Sequence, residues 1–226
     1  MGRDFLPGIF PHLGGVTLKE IITVDGPSAS GKSSVGRELA RALGIPFVSS
    51  GILYRGIGYL AQGAGINLQD SSALGAWLAN DPLELRLNSD SHIWHQGQDV
   101  TALLHTHEVD TASSIVAQHP EVRGYVDGKL RSLPPPFVVE GRDMGREVFP
   151  DAEFKFYLTA PVAIRAGRRV GERELSQEEI EAALTARDQN DRNQSLPAAD
   201  ARIVDTAELS LAQVVETLLE QIRSRP

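Results

Sequence analysis

Apolar residues along this chain follow two alternating rhythms. Short β-branched or aromatic runs at Ile21–Asp25, Ile45–Gly51, Phe137–Glu140, Glu153–Leu158 and Ala201–Thr206 have the length and composition of buried strands. Between them, helical spacing predicts Ser33–Leu43, with Val35, Leu39, Ala42 and Leu43 on one face, then a helix from Ile52 to about Ala64. Further helices are predicted over 71–80, capped by Ser71 or Ser72, over Thr106–Gln118, and over Pro120–Leu133, where proline at the start loses no needed N–H. Pro161 opens another, Ser176 caps a longer one, and a last helix from Ser210 gathers Leu211, Val214, Val215, Leu218 and Ile222 on one face. Strand–helix alternation of this kind predicts a three-layer α/β/α sandwich around a five-stranded parallel sheet.

One stretch breaks the alternation. Leu83, Leu85 and Leu87 alternate with polar neighbours, and Ile93 and His95 follow turn residues at Asn88–Ser91, which predicts an antiparallel hairpin in a small insert from about 66 to 105. His92, His95, His105 and His107 lie in or near it, but without cysteines or a carboxylate cluster they read as solvated histidines rather than metal ligands.

At 226 residues and 24.5 kDa, with 41% hydrophobic residues, the chain suffices for one domain with small insertions. A formal net charge of -8 argues against nucleic acid as a partner. The bases are concentrated instead: lysine occurs only at 19, 32, 129 and 155, whereas arginines cluster at 165, 168, 169 and 173 and at 187 and 192. Arginine's planar fork suits bidentate contacts to the phosphates of small anionic ligands. The absence of cysteine excludes disulfides and thiol nucleophiles and fits a reducing compartment. No apolar run approaches the roughly 20 residues of a membrane span. Met1–Gly15 carries Phe5, Leu6, Ile9 and Phe10 but is interrupted by Pro7, Gly8 and Pro11, so residues 1–18 read as a flexible extension rather than a signal peptide. The resulting expectation is a cytoplasmic monomer with no membrane association.

The chemistry centres on Gly26-Pro27-Ser28-Ala29-Ser30-Gly31-Lys32-Ser33, which contains every fixed letter of G-x-x-x-x-G-K-[ST] between a predicted strand and a predicted helix. The glycines let successive N–H groups turn inward toward phosphate oxygens, and the helix N-terminus adds partial positive charge. Lys32 is placed to reach β- and γ-phosphates, and the Ser33 hydroxyl to ligate Mg2+. Triphosphate binding follows, while the choice between switch, motor and kinase rests on the remaining residues.

Those residues sit at carboxyl ends of strands, where ligands of open parallel sheets collect. Ser50 and Arg55 follow the second strand and form a candidate second anion site, or a helix cap and a surface arginine. Glu140 ends the third central strand, placed to hold water on a nucleotide-bound Mg2+. Arg142 and Asp143 occupy a glycine-flanked turn directly after it, suited to ligand binding or to a salt-bridged loop. Arg165, Arg168 and Arg169 share a helix joined to the next by Gly171–Leu175, a short charged connection of the kind that forms a mobile lid.

Taken together, these motifs resemble those of the bacterial cytidylate kinases, nucleoside monophosphate kinases of the P-loop class. The resemblance runs from about Lys19 to the C-terminus. It rests on Gly26–Ser34, Ser49-Ser50-Gly51 with Tyr54-Arg55, Thr106–Arg123, Glu140–Gly145 with Val148–Ala152, and Arg187–Asn193. It implies a P-loop NTPase fold whose antiparallel insert belongs to the monophosphate-binding part. The implied division is a core of 19–65 and 120–226, an insert of about 66–119 and a short lid of about 168–178. It implies transfer of the ATP γ-phosphoryl group to CMP or dCMP with Mg2+. ATP would lie on Gly26, Pro27, Ser28, Ala29, Ser30, Gly31, Lys32, Ser33 and Ser34. CMP would be held by Ser50, Arg55, Ser114, Arg123, Arg142, Asp143, Arg187 and Asp191. Lys32, Arg142, Arg165, Arg168, Arg169 and Arg187 would act on the transferring group, and Ser33 and Glu140, through water, would serve the metal. Three departures stand out: Gln194 replaces the arginine that closes Arg-Asp-x-x-Asp-x-x-Arg, His105 stands where arginine is common, and the lid is short.

A GTPase switch is disfavoured because neither Asn-Lys-x-Asp nor Asp-x-x-Gly occurs. A non-catalytic nucleotide-binding module would not need Lys32 or Glu140, and both are present. The remaining alternative is a P-loop kinase of another small acceptor, such as UMP or shikimate.

Overall fold

A computed structural model describes residues 20–170, 176–190 and 195–224. Its central sheet is built from β1 (Ile21–Asp25), β2 (Phe47–Ser49), β6 (Phe137–Gly141), β7 (Phe154–Thr159) and β8 (Arg202–Asp205), in the spatial order β2-β6-β1-β7-β8. All neighbouring pairs are parallel. Asp25 therefore pairs with Gly141, and Ser49 with Glu140, so these strands deliver their polar ends to one edge of the sheet.

Both faces of the sheet are covered. On one side α1 (Lys32–Leu43) and α8 (Leu211–Arg223) bury Leu39 and Leu218 with Ile22, Phe47, Val138 and Phe156. On the other, α2 (Ser50–Gly63), α3 (Ser71–Leu78), α4 (His107–Val116) and α5 (Pro120–Arg131) bury Leu53, Leu74, Val109 and Val122 with Phe137 and Val139. Neighbours Val138 and Val139 thus face opposite clusters, the period of two expected of a strand buried on both sides. The three-layer α/β/α sandwich and its five-stranded parallel sheet are as the sequence predicts.

The predicted hairpin is present as β3 (Glu84–Leu87) and β4 (Ser91–His95), extended by a third antiparallel strand, β5 (Gln98–Asp99). Its inward residues Leu83 and Ile93 join the cluster of Leu53 and Ile57, so the insert shares the main core. Its turn also touches the sheet edge: Phe47 N–H donates to Ser89 O at 3.1 Å and Ser49 N–H to Ser91 Oγ at 3.2 Å.

Several local expectations are corrected. The cap of α3 is Asp70, whose carboxylate accepts from Ala73 N–H at 3.0 Å, not Ser71 or Ser72. In α1 the buried face includes Gly36 and Ala40, and Ala42 is exposed. In α8, Leu219 is buried and Leu211 is exposed. Ser176 does cap α7 (Gln177–Asn190): its hydroxyl accepts from Glu179 N–H at 3.3 Å, and the Glu179 carboxylate accepts from Ser176 N–H at 2.9 Å. The extension at 1–18, the connection Gly171–Leu175, Asp191 and Gln194 lie outside the described residues.

Candidate active site

The turn from β1 into α1 has the backbone that phosphate binding requires. Gly26 has φ +151°, and a Cβ there would stand 2.3 Å from Leu158 O; Gly31, at φ +91°, caps α1. Ala29 is also left-handed, at φ 62°, an uncommon conformation for a residue with a side chain and one that recurs at ligand-binding loops. Lys32 Nζ donates to Pro27 O at 2.9 Å, folding the ammonium over the loop. Desolvation lowers its pKa from 10.5 to about 8; Arg142 and Arg187 add to this, and Glu140 and Asp25 oppose it.

Arginines brace this loop from outside. Arg165, on α6 (Val162–Gly167), is only 5% exposed and donates to Ser28 O at 2.9 Å, Ala160 O at 2.9 Å and Asp188 Oδ2 at 2.6 Å. It lies behind the loop and outside the cleft lining, which departs from the expectation of a lid arginine. Arg168 bonds Thr206 Oγ1 at 3.0 Å and approaches Ser30 O at 3.4 Å; it lines the cleft together with Arg169 and Arg187.

The opposite wall comes from α2, α4, α5 and the segment after β6. The buried Ser50 begins α2, and one turn on Arg55 reaches Asp110 of α4 at 2.6 and 3.1 Å. Ser114 lies one turn beyond Asp110, its hydroxyl donating to Asp110 O at 3.0 Å. Arg123 of α5 pairs with the buried Asp143, and Arg142 donates to Ser28 Oγ of the phosphate loop at 3.1 Å. Burial and then Arg187 lower the Arg142 pKa to about 10. The loop and this wall enclose a single cleft of about 1010 Å3. Of the predicted residues, all of 26–34 except Gly26, Pro27 and Ser30 line it, as do Ser50, Arg55, Ser114 and Arg123. So do Glu140, Arg142 and Asp143.

Glu140 is 6% exposed, faces the cleft and accepts from Ser49 Oγ at 2.6 Å. The exposed Ser33 is on the same cleft. Among the described residues no group of three or more His, Cys, Asp or Glu is placed to hold a metal. One hydroxyl and one carboxylate form an oxygen-only donor set, and that set suits Mg2+, which keeps waters and takes further ligands from substrate phosphates.

Four residues of the site were not singled out from sequence. Ser49 supports Glu140, Asp110 holds Arg55, and Gln118 lines the cleft beside Ser114. Asp25, 5% exposed, accepts from Met144 N–H at 2.9 Å and Gly145 N–H at 2.8 Å, and burial raises its pKa to about 6. An acid at the end of a buried strand is a readable signal for Asp25. Nothing local marks Asp110 on α4 or Gln118 in the turn after it.

Comparison with known proteins places the chain in a family. The family model for cytidylate kinase matches residues 22–224. The chain is 52% identical over 206 residues to a cytidylate kinase of Deinococcus deserti, covering 91% of this chain and 100% of that one. It is 53% identical to a cytidylate kinase of Deinococcus radiodurans (89% and 98% covered) and 47% identical to one of Thermus thermophilus (91% and 100%). Among solved structures it is similar in fold to shikimate kinase from Acinetobacter baumannii in complex with shikimate. That match has a TM-score of 0.50 and 18% identity, covering 91% of this chain and 93% of that one.

Proposed function

The chain belongs to the cytidylate kinase family and phosphorylates CMP with ATP as co-substrate, and from that premise we propose how its cleft divides the work. The observation that carries the proposal is that the phosphate loop and the arginine-bearing wall face each other across one cleft.

ATP lies with its phosphates on residues 26–34, where Lys32 exchanges its bond to Pro27 O for the β- and γ-phosphates. CMP is held by Ser50, Arg55, Ser114, Arg123, Arg142, Asp143 and Arg187, with Asp191 completing the set. Serine, aspartate and arginine together match cytosine's amino donor and its N3 and O2 acceptors. A phosphate oxygen of CMP attacks the γ-phosphorus in line, the bond from that phosphorus to the bridging oxygen breaks, and CDP and ADP result. The acceptor is already ionised near neutral pH, so no protein base is required.

Lys32, Arg142, Arg168, Arg169 and Arg187 offset charge on the transferring group, while Arg165 acts indirectly by fixing Ser28. Ser33 and Glu140, the latter through water, would hold Mg2+, which supplies charge neutralisation between the phosphates when bound. dCMP is accepted alongside CMP. The enzyme works as a cytoplasmic monomer; among the described residues no helix is long and apolar enough to cross a membrane.

The test is ADP production from ATP and Mg2+ with CMP, dCMP, UMP, AMP or shikimate supplied separately. Strong turnover with CMP and dCMP alone is the expected result. Turnover with UMP alone, or with shikimate, would overturn the cytosine reading and keep the kinase. The likeness to a shikimate kinase structure concerns the fold.

A further inference from the structure

Asp25 takes no part in the chemistry above, yet its carboxylate is among the most enclosed polar groups of the protein. It ends β1, immediately before the first glycine of the phosphate loop, and lies level with Gly141 on β6. Each carboxylate oxygen accepts one backbone N–H, Oδ1 from Met144 at 2.9 Å and Oδ2 from Gly145 at 2.8 Å. These two amides directly follow Arg142 and Asp143 in the chain.

The fit is close on the other side as well. A Cβ on Gly145 would come within 2.7 Å of Thr23 Oγ1 and 3.3 Å of Asp25 Oδ2, so that backbone is seated against β1 with no space to spare. At its other end the same segment is tied to the phosphate loop by Arg142 and Ser28 Oγ. A buried carboxylate is an expensive way to satisfy two amides, since desolvation disfavours its charged form. Such local costs concentrate where function needs them.

We propose that Asp25 is a positioning residue for the acceptor: its carboxylate fixes the 142–145 segment against the root of the phosphate loop, holding Arg142 and Asp143 in register with the ATP phosphates. This rests on the reading that Arg142 and Asp143 hold CMP.

Asp25→Asn keeps the volume but presents an amide donor to one of the two N–H groups. Binding of CMP alone and of a non-hydrolysable ATP analogue alone, measured by calorimetry on the full chain, separates the possibilities. The expected result is CMP binding weakened about 10-fold and analogue binding changed less than about threefold, with the Asp25→Asn effect clearly reduced in an Arg142→Ala background, because part of what Asp25 positions is then gone. CMP binding unchanged in Asp25→Asn but weakened in Arg142→Ala would overturn the positioning role alone. Independent, multiplying effects of the two variants would do the same. CMP binding unchanged in Arg142→Ala would overturn the acceptor reading and this proposal with it. Hydrogen exchange at the Met144 and Gly145 amides of the unaltered protein supplies a second measurement should Asp25→Asn not fold. CMP alone is expected to slow exchange at both, and no slowing would overturn the proposal.

Discussion

Ser49 Oγ donates to Glu140 Oε1 across 2.6 Å, from the end of β2 to the end of β6. The two residues are register partners in a parallel pair, so the bond is fixed by the sheet rather than by a loop. Ser49 is held in turn by its own N–H, which donates to Ser91 Oγ of the insert.

Ser49→Ala should therefore leave the fold intact and loosen Glu140. Supporting groups of this kind change metal affinity by about 10-fold or more when removed. The half-saturating concentration of free Mg2+, read from initial rates at fixed ATP, should rise by about that factor, with the rate at saturating Mg2+ less affected. An unaltered Mg2+ curve would count against a metal role for Glu140.

Lys32→Ala should lower kcat by about 10²–10³, the scale expected for a group that stabilises charge in the transition state, with an unchanged far-ultraviolet spectrum. The ammonium's lowered pKa, about 8, adds a pH signature. As pH rises through that value the empty site loses its positive charge, and bound phosphates favour its return. ATP binding should therefore take up close to one proton near pH 9 and almost none near pH 7. Calorimetry in two buffers of different ionisation heat measures this directly.

Asp25 carries the opposite sign for stability. With its folded-state pKa raised from 3.8 to about 6, the folded chain keeps a proton through that window that the unfolded chain has released. Stability from this group therefore falls as pH rises between those values and is greatest below them. A shift of about two units corresponds to about 3 kcal/mol. Urea midpoints should show the unaltered protein gaining on Asp25→Asn as pH is lowered from about 6.5 to about 4.

Gly58→Ala tests the packing that sets the acceptor wall. A Cβ there would meet Ala112 Cβ at 2.9 Å and the backbone of Ala112 and Ser113 at 3.0 Å, where α2 and α4 cross. Overpacking of this kind costs about 1–3 kcal/mol. Because α2 carries Arg55 and α4 carries Ser114, the apparent affinity for CMP should fall together with the melting temperature, and ATP affinity should hold.

The sheet strands were legible because burial on both faces leaves a continuous apolar signature, as in Phe137, Val138 and Val139. The strand Gln98–Asp99 was not, since both residues are exposed and polar and their extended conformation comes from pairing with His95 and Trp94. The phosphate loop was legible because its chemistry is local in sequence. The place of Arg165 was not: an arginine reads as a solvated cation, and its burial depends on Ser28, 137 positions away, and on Asp188 of another helix. Asp110 escaped for the same reason, as it acquires its meaning only when α4 packs against α2 and meets Arg55.

Arg165 also changes how the loop's electrostatics are to be understood. Its guanidinium is hidden from solvent, paired with Asp188 and locked to Ser28 O. Because Asp188 offsets its charge, what Arg165 gives the phosphate loop is shape: Ser28 is held before any nucleotide arrives, and no side chain needs to swing into place. That ordering is done once, when the chain folds. Each turnover then starts from a loop already set for the anion it receives.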